Sequence, residues 1–112
     1  MTASELQRRV RSALETIGCP VTKDYSEFNG IYPHIAYREI SNVPALNGDN
    51  REFAFRSTYQ VAIVTNDDDY SALESAVEDA MIALGFVRSD AQDILDGDFN
   101  RVLRFTITTL KG

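Results

Sequence analysis

Hydrophobic and polar positions alternate along this chain with two different periods, and each period predicts one kind of secondary structure. Near the N-terminus the apolar residues recur every three or four positions: Leu6, Val10, Leu14 and Ile17. This spacing predicts an amphipathic helix over Thr2–Ile17. Thr2 with Glu5 fits a capping box at its start, and Gly18 followed by Pro20 predicts its end.

The same helical spacing returns in the second half of the chain. The recurring apolar residues there are Leu73, Val77, Met81 and Leu84. They predict a second amphipathic helix, which ends at Gly85. Its start has two interpretations, because Ser71 with Glu74 fits a capping box, whereas Asp68 or Asp69 could serve as the N-cap equally well.

Period-two alternation predicts strands in the remaining segments. Arg51–Thr65 shows it most clearly, and its apolar members are Phe53, Phe55, Tyr59, Val61 and Ile63. We predict that this strand pairs with Ile31–Ile40 as a long hairpin. A short strand is predicted over Val21–Tyr25, and an Asp-Gly turn predicts a second hairpin between Phe86–Leu95 and Phe99–Leu110.

The charged residues and the apolar faces of the two strands together predict a register for the long hairpin. Placing Ile35 opposite Phe55 and Arg38 opposite Glu52 pairs apolar with apolar and opposite charge with opposite charge. A slip by one residue would set Glu39 against Glu52 and turn every side chain to the wrong face. We therefore predict the first register.

Two residues are candidates for catalysis because each is the only one of its type. In the predicted register, His34 lies on the polar face opposite Arg56, and no nucleophile stands near it in a recognisable motif. Cys19 has no partner for an internal disulfide or a zinc site. We interpret His34 as a surface residue of a strand and Cys19 as a small packing residue that follows a helix.

The predicted elements form one domain of the α+β class. The chain has 112 residues, 44% hydrophobic and 25% charged, with no shift in composition that would divide it. We expect a single domain over 1–112, an antiparallel sheet of two hairpins plus a short strand, and two helices packed on one face.

The net charge of −6 argues against some partners. Lysines and arginines are scattered, so we expect no sequence-specific binding of nucleic acid. No apolar run approaches the length of a membrane span and no signal peptide opens the chain, so we expect no membrane partner.

Two acidic clusters could suggest a metal site. Asp67–Asp69 stand where the second helix should begin, and carboxylates there meet the positive end of the helix dipole. Asp96–Asn100 resembles the start of an EF-hand loop, but the positions for the turn glycine and the bidentate glutamate are Arg101 and Ile107. We expect no metal, no cofactor and no catalytic residue.

Four segments of the sequence resemble a known family across nearly the whole chain. They are YPHIAYREISNVPA, RSTYQVAIVT, LESAVEDAMIALGF and the ending VLRFTI. They are similar to the tail-terminator, or tail-completion, proteins of long-tailed bacteriophages, which are also described as tail-to-head joining proteins. Tyr32-Pro33, Gln60-Val61 and Gly85-Phe86 are the most telling pairs.

The resemblance implies a structural role without catalysis. It implies a homo-oligomeric ring, usually a hexamer, that sits on the last ring of the tail tube and stops its polymerisation. The implied partners are further copies of the chain, the major tail tube protein and the head connector protein. The implied location is the virion, at the head–tail junction, with the host cytoplasm during assembly.

One segment is a candidate interface. We interpret Ser41–Asn50 as a loop that is long for a hairpin connection and that exposes Val43 and Leu46 at its tip. Together with Arg51 and Glu52, these residues are expected to contact a neighbouring subunit or the tail tube. The alternative is a solvated loop without a partner.

Two other classes of function stay open at this point. One is a non-catalytic bacterial binding module on the same α+β frame, since a fold does not determine a function. The other is a small metal-dependent enzyme, which would require Asp67–Asp69, Asp96 and Asp98 to converge on one ion.

Overall fold

A computed structural model gives the fold and describes residues 1–23, 32–48, 51–65, 70–96 and 98–110. Within these ranges, the side chains of residues 45–48, 51–53, 92–96 and 98–100 lie outside the description. The elements, in chain order, are α1 (Ala3–Glu15), β1 (Val21–Lys23), β2 (His34–Gly48), β3 (Arg51–Thr65), α2 (Ser71–Ala83), β4 (Val87–Asp96) and β5 (Asp98–Leu110).

The strands form one five-stranded sheet in the order β1-β2-β3-β5-β4. The two predicted hairpins are confirmed, since β2 pairs with β3 and β4 pairs with β5, both antiparallel. The short strand differs from the expected antiparallel order, because β1 runs parallel to β2. Ten residues separate β1 from β2, which is far more than a tight hairpin needs. The α+β class is confirmed.

Both helices pack against the same face of the sheet, which we call the helix face. Alternate residues of β2, β3 and β5 point to this face, as the two-residue period requires. The core residues are Leu6, Val10 and Leu14 of α1, Val77 and Met81 of α2, and Ile35, Tyr37, Phe55, Tyr59, Val61, Ile63, Leu103 and Phe105 of the sheet. The other face, which we call the open face, is not covered by either helix.

The two helices begin in different ways. In α1 the Thr2 hydroxyl accepts a hydrogen bond from the backbone N–H of Glu5 at 3.2 Å, which confirms the predicted cap. In α2 the N-cap is Tyr70, without a capping hydrogen bond from its side chain, so both predicted starts are wrong. The carboxylate of Glu74 turns instead to Arg101 on β5, at 3.0 Å. Gly85 has φ +103° and ends α2 as predicted.

The predicted register of the long hairpin is wrong. Ile35 lies opposite Ile63 and Arg38 lies opposite Gln60, eight residues further along β3 than predicted. The reason is that β2 continues to Gly48, so the segment interpreted as a loop is mostly strand. A β-bulge at Ile40 interrupts the ladder, between the pairs that Glu39 and Ser41 form with β3.

Candidate interaction surface

The four residues predicted to form an interface lie in strands near the tip of the β2–β3 hairpin. Val43 lies opposite Arg56, and Leu46, Arg51 and Glu52 follow toward the tip. Val43 is exposed, as predicted. The side chains of Leu46, Arg51 and Glu52 lie outside the described part of the chain, so their role in an interface stays a prediction.

Exposed apolar side chains extend well beyond the predicted set. Val43 is 41% exposed, whereas Val87 and Leu110 are 69% and 67% exposed. Val87 lies opposite Thr106, and the register places these three apolar residues on the open face. Ile40, in the adjacent bulge, is also exposed. We call Ile40, Val43, Val87 and Leu110 the open-face patch.

Sequence reasoning found only Val43 of this patch and missed the other three residues, two of which, Val87 and Leu110, stand at strand ends. Val87 is the first residue of β4 and Leu110 is the last residue of β5. Both fit the alternating pattern, and that pattern does not tell a covered row of side chains from an uncovered one. Whether such a row of side chains is exposed depends on the neighbouring strand, and the neighbouring strand is known only once the register is known.

The half of the open face nearer to β1 is buried. Ala36, Ala62 and Val102 lie side by side across three strands and form a small buried cluster. His34 is buried next to them, with Nε2 at 2.8 Å from the hydroxyl of Thr22 on β1. The interpretation of His34 as a surface residue opposite Arg56 is therefore wrong, because the true register brings His34 opposite Val64.

A polar cluster marks the bulge on the helix face. The hydroxyl of Ser57, which is fully buried, donates to the carboxylate of Glu39 at 3.0 Å. Asn42 Nδ2 contacts both of these groups at 3.4 Å. Burial raises the pKa of the neighbouring Tyr59 hydroxyl, and the charge of Glu39 and the nearby Tyr37 raise it further. Tyr59 therefore stays protonated at neutral pH.

Replacing Tyr59 by Phe is expected to raise the free energy of unfolding by about 1 kcal/mol. Within the described part of the chain, the buried hydroxyl of Tyr59 has no hydrogen-bond partner, so its removal relieves a desolvation cost. The ring contact with Phe86, with centroids 5.6 Å apart, is kept. Urea unfolding measures the change, and Tyr37→Phe at the edge of an open groove is the control. A loss of stability in Tyr59→Phe would contradict this account.

Cys19 packs against the core as a partly buried residue, which confirms its interpretation as a packing residue. Burial raises the pKa of its thiol, so little thiolate is present at neutral pH. Within the described residues, no three His, Cys, Asp or Glu side chains stand close enough together to hold a metal ion. The acidic clusters considered above, Asp67–Asp69 and the side chains of Asp96 and Asp98, lie outside that description.

Ion pairs join α2 to the two strands beneath its acidic flank. Arg101 on β5 contacts the Glu74 carboxylate through Nη2 at 3.0 Å and donates a hydrogen bond through Nε at 3.1 Å. Its guanidinium also lies 5.4 Å from the centre of the Tyr70 ring. Arg88 on β4 contacts the carboxylate of Glu78 directly. These contacts hold α2 over β4 and β5.

Two open grooves flank α1, and both are lined by arginines. One has a volume of about 220 Å³ and lies between α1 and the β1 edge, lined by Gln7, Arg8, Arg11, Lys23 and Tyr37. The other has a volume of about 680 Å³ and lies between α1 and the end of α2, lined by Glu5, Arg8, Arg9, Ser12, Ala13, Thr16 and Leu84.

In the described part of the chain, no helix is both long enough and apolar enough to span a membrane.

Comparisons with known proteins add one structural likeness. No protein-family model matches the chain, and no curated protein matches it. A solved structure described as "Structure of bacteriophage SPP1 gp17 protein" is similar at 21% sequence identity, over 96% of this chain and 91% of that chain, with a TM-score of 0.48.

Proposed function

We propose that this chain is a structural protein of a long-tailed bacteriophage or prophage. It forms a ring on the end of the tail tube, stops polymerisation of the tube and provides the surface to which the head connector binds. It acts by binding and carries out no reaction. The proposal rests on the sequence resemblance, which extends from the first helix to the last strand, and on the exposed apolar side chains of the open face.

The open-face patch is the observation that supports a binding role most directly. Its members Ile40, Val43, Val87 and Leu110 leave apolar area in water at the end of the sheet that β1 does not reach. Burying apolar surface stabilises a complex by roughly 25 cal/mol per Å². Among the described residues of one copy, neither α1 nor α2 covers this area, so a partner gains by covering it. We assign the patch to contact with the tail tube protein.

The first test removes the protein from the phage or prophage that encodes it. Without it, tubes are expected to grow to irregular lengths and to remain without heads, because nothing stops polymerisation or joins the head. Negative-stain electron microscopy of the particles measures tail length and head attachment. Tails of uniform length that join heads in the deletion strain would overturn the proposed function.

Complementation then tests the patch. The variant Val43→Glu/Leu110→Glu is expected to fail in restoring uniform, joined tails, because two carboxylates on the open face oppose burial against the tube. The control Val43→Ile/Leu110→Met keeps an apolar side chain at the same two exposed positions and is expected to complement fully. Circular dichroism checks that both variants fold. Full complementation by the first variant would refute the role of the patch.

A further inference from the structure

Two opposite sides of the molecule carry formal charges of opposite sign. On one side, α1 and β1 carry three arginines and one lysine against two glutamates, a formal charge of +2. On the other, α2 and β4 carry six acidic residues against one arginine, a formal charge of −5. We call these the basic side and the acidic side. The strand order puts β1 and β4 at opposite edges of the sheet, so the two sides face away from each other.

The basic side presents its cations around the groove between α1 and β1. Arg8, Arg11 and Lys23 line this groove together. Arg11 has a carboxylate of Glu15 at 3.9 Å, and both side chains are about half exposed, so this pair is weak. Within the described residues, no carboxylate lies within salt-bridge distance of Arg8 or Lys23. Three cations therefore converge on one surface that is open to a partner.

The acidic side combines negative charge with exposed apolar area. Asp79 and Asp90 are both exposed. Asp90 contacts Arg104 at 3.5 Å and accepts a hydrogen bond from the backbone N–H of Ala91 at 2.8 Å, and its side chain is still 47% exposed. Ile82 follows Glu78 by one helical turn on α2 and is 55% exposed. Glu78 touches β4 through Arg88, so Ile82 lies on the flank of α2 that faces this edge of the sheet. An interface on this side would bury apolar area within a rim of charge.

Charge also decides which sides can meet. Two acidic sides facing each other across a two-fold axis would bring together like charges, among them the exposed Asp79 and Asp90 of both copies. Like charges that face each other across an interface repel, whereas the basic side of a second copy meets the acidic side with opposite charge. A contact between two different sides of identical chains is heterologous, and it closes into a ring when the rotation allows.

We propose that the basic side of one copy binds the acidic side of the next copy, so that the chain associates with itself head to tail. Arg8, Arg11 and Lys23 of one copy lie against Asp79 and Asp90 of its neighbour, and Ile82 is buried between them. This inference deepens the proposed function and rests on it, because it identifies the two surfaces from which the ring is built. Most of the attraction is electrostatic, so added salt weakens the association.

Reversing charge on each side tests the contact in solution. The basic-side variant is Arg8→Glu/Arg11→Glu, and the acidic-side variant is Asp79→Lys/Asp90→Lys. Sedimentation velocity at low ionic strength is expected to show assembled wild-type protein and a loss of association of about tenfold or more in each variant alone. An equimolar mixture of the two variants is expected to assemble again, because each reversed side then meets an oppositely charged one.

The matched control changes the same amount of charge elsewhere. Arg38→Glu/Arg56→Glu reverses two exposed arginines on the open face and is expected to associate as the wild type does. Circular dichroism shows which variants are folded. Three results would overturn the inference: wild type that stays monomeric at millimolar concentration and low salt, a basic-side variant that associates normally, or a mixture that does not recover.

These results are separable from a failure of the proposed function. Normal, uniform tails in the deletion strain overturn the function, whatever the protein does in solution. Irregular tails in that strain, together with wild-type protein that does not associate through these sides, leave the function intact and remove this interface.

Discussion

Replacing Phe105 by Ala is expected to lower the free energy of unfolding by about 3–5 kcal/mol. Phe105 is fully buried on the helix face of β5, opposite Tyr59 of β3, in the layer between the sheet and both helices. Truncation removes the contacts of a whole aromatic ring and leaves a cavity that the surrounding strands cannot close. A loss of this size is a large part of the stability of a domain of this length.

Urea unfolding followed by circular dichroism measures this loss, with Leu110→Ala as the control on the same strand. Leu110 is 67% exposed, so its truncation is expected to change the free energy of unfolding by less than about 0.5 kcal/mol. The slope of the free energy against urea should stay the same in both variants. Equal losses in the two variants would show that the helix face of β5 is not the core.

The helices and the two hairpins could be predicted because their signals are local. Helical spacing in α1 and a Thr2 cap depend on residues within two turns of each other. The Asp-Gly signal in the sequence is equally local, and β4 and β5, on either side of it, begin and end within one residue of the prediction. A local sequence pattern is enough to predict an element whose hydrogen bonds and caps join residues that are close along the chain.

The register of β2 against β3 could not be predicted by the same reasoning, and the reason is geometric. The observed partner of Ile35 is displaced from the predicted one by eight residues, an even number. An even displacement keeps every side chain on the same face of the sheet. Both registers therefore place apolar side chains opposite apolar ones. Apolar parity excludes a slip by one residue but does not distinguish two registers that differ by eight residues.

The composition of Ser41–Asn50 is the reason that the eight-residue shift in register was not predicted. Asparagine, glycine and proline in this segment favour a turn, yet β2 continues to Gly48. Pro44 is tolerated because, among the described residues, no strand pairs with β2 on its outer side beyond Tyr37, and an edge position needs no N–H donor there. The bulge at Ile40 absorbs the irregularity.

The exposure of Val43 was therefore predicted on an incorrect premise, and the role of this surface as an interface stays a prediction. Val43 is exposed, as expected, although it belongs to a strand and not to a loop. The rest of the open-face patch depends on which strands end early and on which face the helices cover. Neither property can be predicted from a single segment of the sequence, because each depends on the packing of elements that are far apart along the chain.

The ion pair between Arg101 and Glu74 was also invisible to local reasoning, and its removal is the second large effect we expect. The two side chains are 21% and 18% exposed, so their attraction is less screened than that of a surface pair. Arg101→Ala removes a hydrogen-bonded ion pair and the contact with the Tyr70 ring. We expect the free energy of unfolding to fall by about 2–3 kcal/mol.

Arg11→Ala is the control, because Arg11 belongs to an exposed pair with Glu15 at 3.9 Å. Its truncation is expected to cost no more than about 0.5 kcal/mol. A double-mutant cycle with Glu74→Gln separates the pair from the loss of the arginine stem, and the coupling between positions 74 and 101 should exceed about 1 kcal/mol. A coupling near zero would mean that α2 is held over β5 by its apolar contacts alone, and that Val77 and Met81 suffice to position it.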